Sequence, residues 1–230
     1  MGLNKILFIR GFGTNNINTK DTYANILVVL HQNANNEVRY FNYRPDEDIL
    51  QVYKRLRKVI KENVFTHLIG HSMGGGLLMR YIYDHPENIQ KYDKVILLMP
   101  LVYKTPFNKF FFNIPFTRRI SLPNAIALPS SKAYSMGNIL NDGFSVSKLE
   151  QPVDMYKEIM LESEDEVVDT LNENRSNTIL FYAREEAYNP IPKDVLKKIK
   201  NKVYVNGLHE SFNSLETTKE FFDKFLRYFQ

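Results

Sequence analysis

Apolar positions along the chain fall into short continuous runs, separated by stretches in which they recur every three or four residues. Residues 5–10 (Lys-Ile-Leu-Phe-Ile-Arg) form a β-branched and aromatic run that stops at Gly11-Phe12-Gly13-Thr14-Asn15-Asn16, predicting a strand and then a loop. Residues 23–31 have helical length, with Asp21 or Thr22 as the expected cap. A second strand is predicted over 37–43, ended by Arg44-Pro45-Asp46. Asp46 is placed to cap a helix whose apolar positions Ile49, Leu50, Tyr53, Leu56, Val59 and Ile60 recur at helical spacing. A strand over 65–70 leads into a helix over 73–85 that Pro86 stops. The stretch 95–99 (Val-Ile-Leu-Leu-Met) has no polar position, as a parallel strand buried on both faces requires. Two further strands follow at 178–183 and 202–205. From Ser214 onward, Leu215, Phe221, Phe222, Phe225, Leu226 and Phe229 mark an amphipathic closing helix. This alternation predicts an α/β fold, a doubly wound, mostly parallel sheet with helices on both faces.

Residues 101–171 break the alternation. They hold a Phe-rich stretch from Lys104 to Phe116, then Arg118-Arg119, several prolines and a helical portion from about Val153. No acidic residue lies between Asp93 and Asp142, while Lys94, Lys104, Lys109, Arg118, Arg119 and Lys132 all do. The expected organisation is a single core made of residues 1–100 and 172–230, interrupted by a cap or lid insertion at 101–171. Its phenylalanines either pack the insertion onto the core, or line an apolar acyl pocket or touch an anionic lipid surface through the 104–119 segment.

Composition narrows the classes. At 230 residues and 43% hydrophobic content, the chain supports one sizeable core. The absence of cysteine excludes a disulfide framework, a thiolate metal site and a cysteine nucleophile. A formal charge of +4 is mild, and the basic residues do not collect on a nucleic-acid motif, so no nucleic-acid partner is expected. The N-terminus leads into a strand with no export signal, and no apolar run nears the roughly 18 residues of a membrane span, so a cytoplasmic location is expected. No histidine or carboxylate pair has a metal-ligand spacing, so neither metal nor cofactor is expected. Gly11-Phe12-Gly13 lacks the third glycine and the lysine of phosphate-binding loops. Arg118-Arg119-Ile120-Ser121 has the look of a basic kinase target and Asn174-Arg175-Ser176 that of a glycosylation sequon; both are short patterns that chance often produces.

The candidate chemistry centres on Gly70-His71-Ser72-Met73-Gly74, between the apolar run of 65–70 and a helical pattern. In strand-to-helix context, Gly-x-Ser-x-Gly describes a turn so tight that side chains at the two glycines would clash, with the serine hydroxyl projecting from the sheet. The amide of Met73 then points at the oxygen of a carbonyl that Ser72 attacks. His71 is expected beneath this turn or lining the pocket, His67 in a strand, and His31 and His85 at helix ends.

Together with Arg10-Gly11-Phe12-Gly13 after the first strand, this arrangement resembles the α/β-hydrolase superfamily over nearly the whole chain, as a minimal version whose first strand corresponds to the family's third. The resemblance implies a catalytic serine, acid and histidine in that chain order. Ala183-Arg184-Glu185-Glu186-Ala187-Tyr188-Asn189-Pro190 is similar to the family's acid loop and implies Glu186 as the acid, with Glu185 as its adjacent alternative. Asn206-Gly207-Leu208-His209 resembles the loop that carries the family's histidine, making His209 the base. Backbone amides of Phe12 and Met73 would form the oxyanion hole. Arg10-Gly11 stands where the family usually has His-Gly. The implied activity is hydrolysis of a small-molecule carboxylic ester with an apolar acyl chain, through an acyl-enzyme and without a cofactor. An acyl-thioesterase and a non-catalytic binding protein on the same fold are the alternatives. A serine nucleophile excludes those branches of the superfamily that use aspartate there.

Overall fold

Among the described residues, six strands form one sheet: β1 (Asn4–Ile9), β2 (Asn36–Phe41), β3 (His67–His71), β4 (Lys94–Leu98), β5 (Thr178–Ala183) and β6 (Lys202–Val205). Their order is β2-β1-β3-β4-β5-β6, and every neighbouring pair is parallel. The computed structural model describes residues 3–11, 23–43, 47–102, 158–186, 191–207, 211–212 and 218–229. The Phe-rich 104–119 segment and most of the expected insertion therefore lie outside the described residues.

Because side chains alternate across a strand, each continuous apolar run splits between two cores. Val95 and Leu97 of β4 enter one, with Leu180 and Tyr182 of β5; Ile96 and Leu98 enter the other, with Ile179 and Phe181. Six α-helices are described: α1 (Ala24–Gln32), α2 (Ile49–Glu62), α3 (Met73–Asp84), α4 (Glu164–Glu173), α5 (Lys193–Lys198) and α6 (Thr218–Phe225). The first core packs α2, α3, α4 and α5 on one face of the sheet, and the second packs α1 and α6 on the other. The three-layer arrangement is the one that the strand–helix alternation predicts. No helix among the described residues is long and apolar enough to cross a membrane.

Helix ends depart from the sequence reading. The N-cap of α2 is Asp48, whose carboxylate accepts the Gln51 N–H at 3.0 Å, and not Asp46. Asp46 lies outside the described residues. Tyr23 occupies the N-cap position of α1 and makes no side-chain cap bond; Asp21 and Thr22 lie outside the described residues. After His85 the chain continues as a 3-10 turn (Pro86–Lys91), since proline fits a helix's first position. Helix α4 starts in a capping box, Ser163 and Glu166 each bonding the other's backbone N–H; that pattern is visible in the sequence and went unread. Helix α5 was also missed. Its buried residues, Val195 and Leu196, are adjacent and show no helical spacing.

Thr178 opens β5 with its hydroxyl buried and with no hydrogen-bond partner among the described residues. Removing a buried, unpaired hydroxyl while keeping the shape relieves its desolvation cost. Thr178→Val is therefore expected to raise stability by about 1 kcal/mol, read as a higher urea midpoint at unchanged slope.

Candidate active site

The serine turn is built by strain and held by backbone bonds. Ser72 sits between β3 and α3 at φ 53° and ψ −116°, a left-handed conformation that costs a non-glycine residue about 1–3 kcal/mol. Its N–H donates to the Leu98 carbonyl at 2.9 Å, and its carbonyl accepts the N–H groups of Leu101 at 2.9 Å and Gly76 at 3.0 Å. The chain leaving β4 thus grips the turn from both sides. That same chain carries a second left-handed residue, Met99 (φ 42°), fully buried, whose N–H donates to the Phe181 carbonyl at 2.9 Å. No feature of the sequence signalled Met99. The glycines behave as the spacing predicts: a Cβ on Gly70 would stand 2.5 Å from the Gly74 carbonyl oxygen. Met73 is buried at the first position of α3, where a backbone N–H has no intrahelical acceptor and the helix dipole favours negative charge.

Beside this turn lies the carboxyl end of β1. The register Ile9↔Gly70, continued by two residues, brings Gly11 alongside Ser72. The sheet order reverses between β1 and β3, and α/β sheets bind ligands in the crevice outside such a switch point. Arg10 is buried with its guanidinium 4.6 Å from the centre of the Tyr43 ring. The Tyr43 hydroxyl donates to the Arg10 carbonyl at 3.0 Å. Burial pushes this hydroxyl's pKa well above the ordinary tyrosine value, with Arg10 opposing the shift. His71 is buried under the turn, as expected, with its Nδ1 2.8 Å from the Tyr23 hydroxyl. Phe12 lies outside the described residues.

On the other side, two loops are joined by backbone bonds. Beyond β5, the Arg184 N–H donates to the Val205 carbonyl at 2.9 Å and the Glu185 N–H to that of Gly207 at 3.1 Å. Gly207 has φ 92°, which glycine adopts without strain, and it stands two residues before His209 in the chain. His209 itself lies outside the described residues. The Glu186 N–H turns back onto the Ala183 carbonyl at 3.2 Å. Glu185 is exposed and Glu186 half-buried. The Glu186 carboxylate is near enough to raise the pKa of the buried Tyr182 hydroxyl, which burial, the largest cause, helps push up to about 12. That hydroxyl accepts the Ile191 N–H at 2.9 Å.

The remaining histidines sit where the sequence puts them. His31 is in the last turn of α1 and His85 caps the end of α3. His67 lies at the opposite end of β3 from Ser72, stacked on Phe229 at 5.0 Å, and burial lowers its pKa. No group of three or more metal-ligating side chains occurs among the described residues.

The sheet order, the strained serine at the end of the third described strand and the helix that follows it define the fold of the α/β-hydrolase superfamily. Solved structures share it across the length of the chain. A monoacylglycerol lipase from Paleococcus ferrophilus is 17% identical, with a TM-score of 0.61 and coverage of 99% of this chain and 95% of that one. The enol-lactonase of Burkholderia xenovorans LB400 is 12% identical, with a TM-score of 0.65 and coverage of 100% and 92%. A thioesterase domain from the curacin biosynthetic pathway is 14% identical, with a TM-score of 0.54 and coverage of 91% and 88%. No protein-family model and no curated protein sequence matches the chain.

Proposed function

We propose that the protein is a serine hydrolase of carboxylic esters with apolar acyl chains. The observation that carries this reading is Ser72, held at φ 53° at the carboxyl end of the sheet and ahead of a helix N-terminus. A backbone strained by about 1–3 kcal/mol persists where something selects for it. The Ser72 hydroxyl attacks the substrate carbonyl carbon as His209 takes its proton. The oxyanion is held by the amides of Phe12 and Met73, and Glu186 orients His209 and stabilises its charged form. Collapse expels the alcohol, protonated by His209, and leaves an acyl group on Ser72. Water, deprotonated by His209, then attacks that acyl group and releases the acid. The apolar acyl preference rests on the Phe-rich 104–119 segment of the sequence, and the similarity in fold to a monoacylglycerol lipase supports it.

Labelling with a fluorophosphonate probe, followed by intact mass, tests the reading. Wild type is expected to gain one adduct and Ser72→Ala none, and p-nitrophenyl esters are expected to turn over faster as the acyl chain lengthens. Folded wild type that takes no adduct overturns the enzymatic reading in favour of a binding role. Acyl-CoA hydrolysed faster than the matched oxygen ester moves the activity to a thioesterase.

A further inference from the structure

One member of the Gly-His-Ser-Met-Gly stretch has no part in this acyl-transfer scheme. His71 is buried, and the tyrosine against which it is held makes a second bond: the Tyr23 hydroxyl also accepts the Gly11 N–H, at 2.7 Å. Both rings pack on Phe212. Tyr23 stacks on it with centroids 5.7 Å apart and planes 23° apart, and His71 meets it edge-on at 5.0 Å and 87°. Phe212 is fully buried, and its carbonyl accepts a bond from the Asn25 side chain at 3.3 Å. Tyr23 is braced from behind by Phe8 of β1, edge-on at 5.1 Å.

Three segments that the proposed reaction must hold together thus meet on one side chain. Gly11 is the residue before Phe12, His71 the residue before Ser72, and Phe212 lies three residues beyond His209. The packing is close. A Cβ on Gly11 would stand 2.9 Å from the Tyr23 hydroxyl, 3.0 Å from the His71 ring nitrogen and 3.0 Å from the Ser72 Cβ. Gly11 is followed in the sequence by Phe12-Gly13-Thr14-Asn15-Asn16, so its amide is the last described point before Phe12.

We propose that Tyr23 is a positioning residue of the hydrolase, an inference that rests on the serine-hydrolase reading above. Its hydroxyl, held against His71, captures the Gly11 N–H and so sets the backbone leading into the oxyanion donor Phe12. The same ring, stacked on Phe212, registers the histidine loop against the serine turn. Oxyanion donors act through placement, and a displacement of about 1 Å is worth up to a hundredfold in rate. Misplacement of this kind acts on the transition state more than on substrate binding, so it shows in kcat and not in KM.

The test removes only the hydroxyl. Tyr23→Phe keeps the ring and its packing, and is expected to lower kcat for a p-nitrophenyl ester by roughly ten- to a hundredfold with KM changed less than about twofold. Fluorophosphonate inactivation slows in step, and hydrogen exchange at the Gly11 amide becomes faster. Tyr92→Phe is the matched control. It deletes a hydroxyl paired with that of Tyr81 at 3.1 Å, also buried, next to the start of β4 at the opposite end of the sheet. Its kcat is expected to equal that of wild type. A labelled, active wild type whose Tyr23→Phe variant keeps full kcat and an unchanged Gly11 exchange rate overturns this inference alone. Equal losses of kcat in Tyr23→Phe and Tyr92→Phe overturn it too, since they show a general effect of stability. A wild type that takes no probe and hydrolyses no ester overturns the hydrolase reading and this inference with it.

Discussion

On the proposed mechanism, Glu186→Gln is expected to slow ester hydrolysis by about 10⁴-fold while leaving the protein folded, because an amide in place of the proposed acid would leave His209 in the wrong tautomer and its charged form unsupported. Glu185→Gln is expected to retain nearly the full rate. Two carboxylates stand side by side in the chain, and their surroundings separate them. The Glu185 backbone is engaged with Gly207 and its side chain is exposed; the Glu186 side chain is half-buried and acts on the buried Tyr182 hydroxyl. A half-buried carboxylate beside the histidine loop interacts more strongly with a charged imidazole than one bathed in water. Steady-state kinetics on the two variants, with thermal melts to verify folding, decide the matter. If Glu185→Gln is the damaging change, the roles of the two residues are exchanged. If neither variant loses more than about tenfold, the loop supplies no acid of the kind that orients a catalytic histidine.

Gly74→Ala is expected to destabilise the protein by about 4 kcal/mol or more, a large share of the roughly 5–15 kcal/mol that holds a domain folded. A Cβ there would stand 2.5 Å from the Arg10 carbonyl oxygen, nearer still to that of Ile9, and 2.8 Å from the Ile9 carbonyl carbon. These are backbone atoms at the carboxyl end of β1, fixed by pairing to β2 and β3 on either side. They have no rotamer to change. Gly75→Ala gives the comparison, because its Cβ would come closest to Pro100, Cβ at 2.7 Å and Cα at 2.9 Å on the chain after β4, with the β3 carbonyl oxygen of Gly70 farther off at 3.1 Å. The milder loss is expected there. Urea denaturation of both variants measures the difference, and equal losses would show that the sheet backbone yields as readily as the turn after β4.

The middle of the sheet was legible because its four central strands are buried on both faces. A strand flanked by helices on each side shows an unbroken apolar run, and residues 95–99 and 178–183 stand out from any amphipathic pattern. The serine turn was legible for a local reason as well. Its geometry forbids side chains at Gly70 and Gly74, so the constraint is written into the residues themselves. Helix ends were less so. Asp46 and Asp48 both have the side chain of a cap, and it is Asp48 whose carboxylate accepts the Gln51 N–H.

The order of elements, the two-faced burial of the central strands and the serine turn were determined by sequence alone, since each depends on residues close together in the chain. Tertiary structure decided what depends on distant segments lying side by side. The grip of Leu98 and Leu101 on Ser72, the left-handed Met99, the bonds from Arg184 and Glu185 to the loop before His209, and the meeting of Gly11, Tyr23, His71 and Phe212 join residues up to 201 positions apart. No periodicity or motif encodes such contacts. They arise because parallel strands place their carboxyl ends at one edge of the sheet, where segments remote in sequence must satisfy each other's buried polar groups.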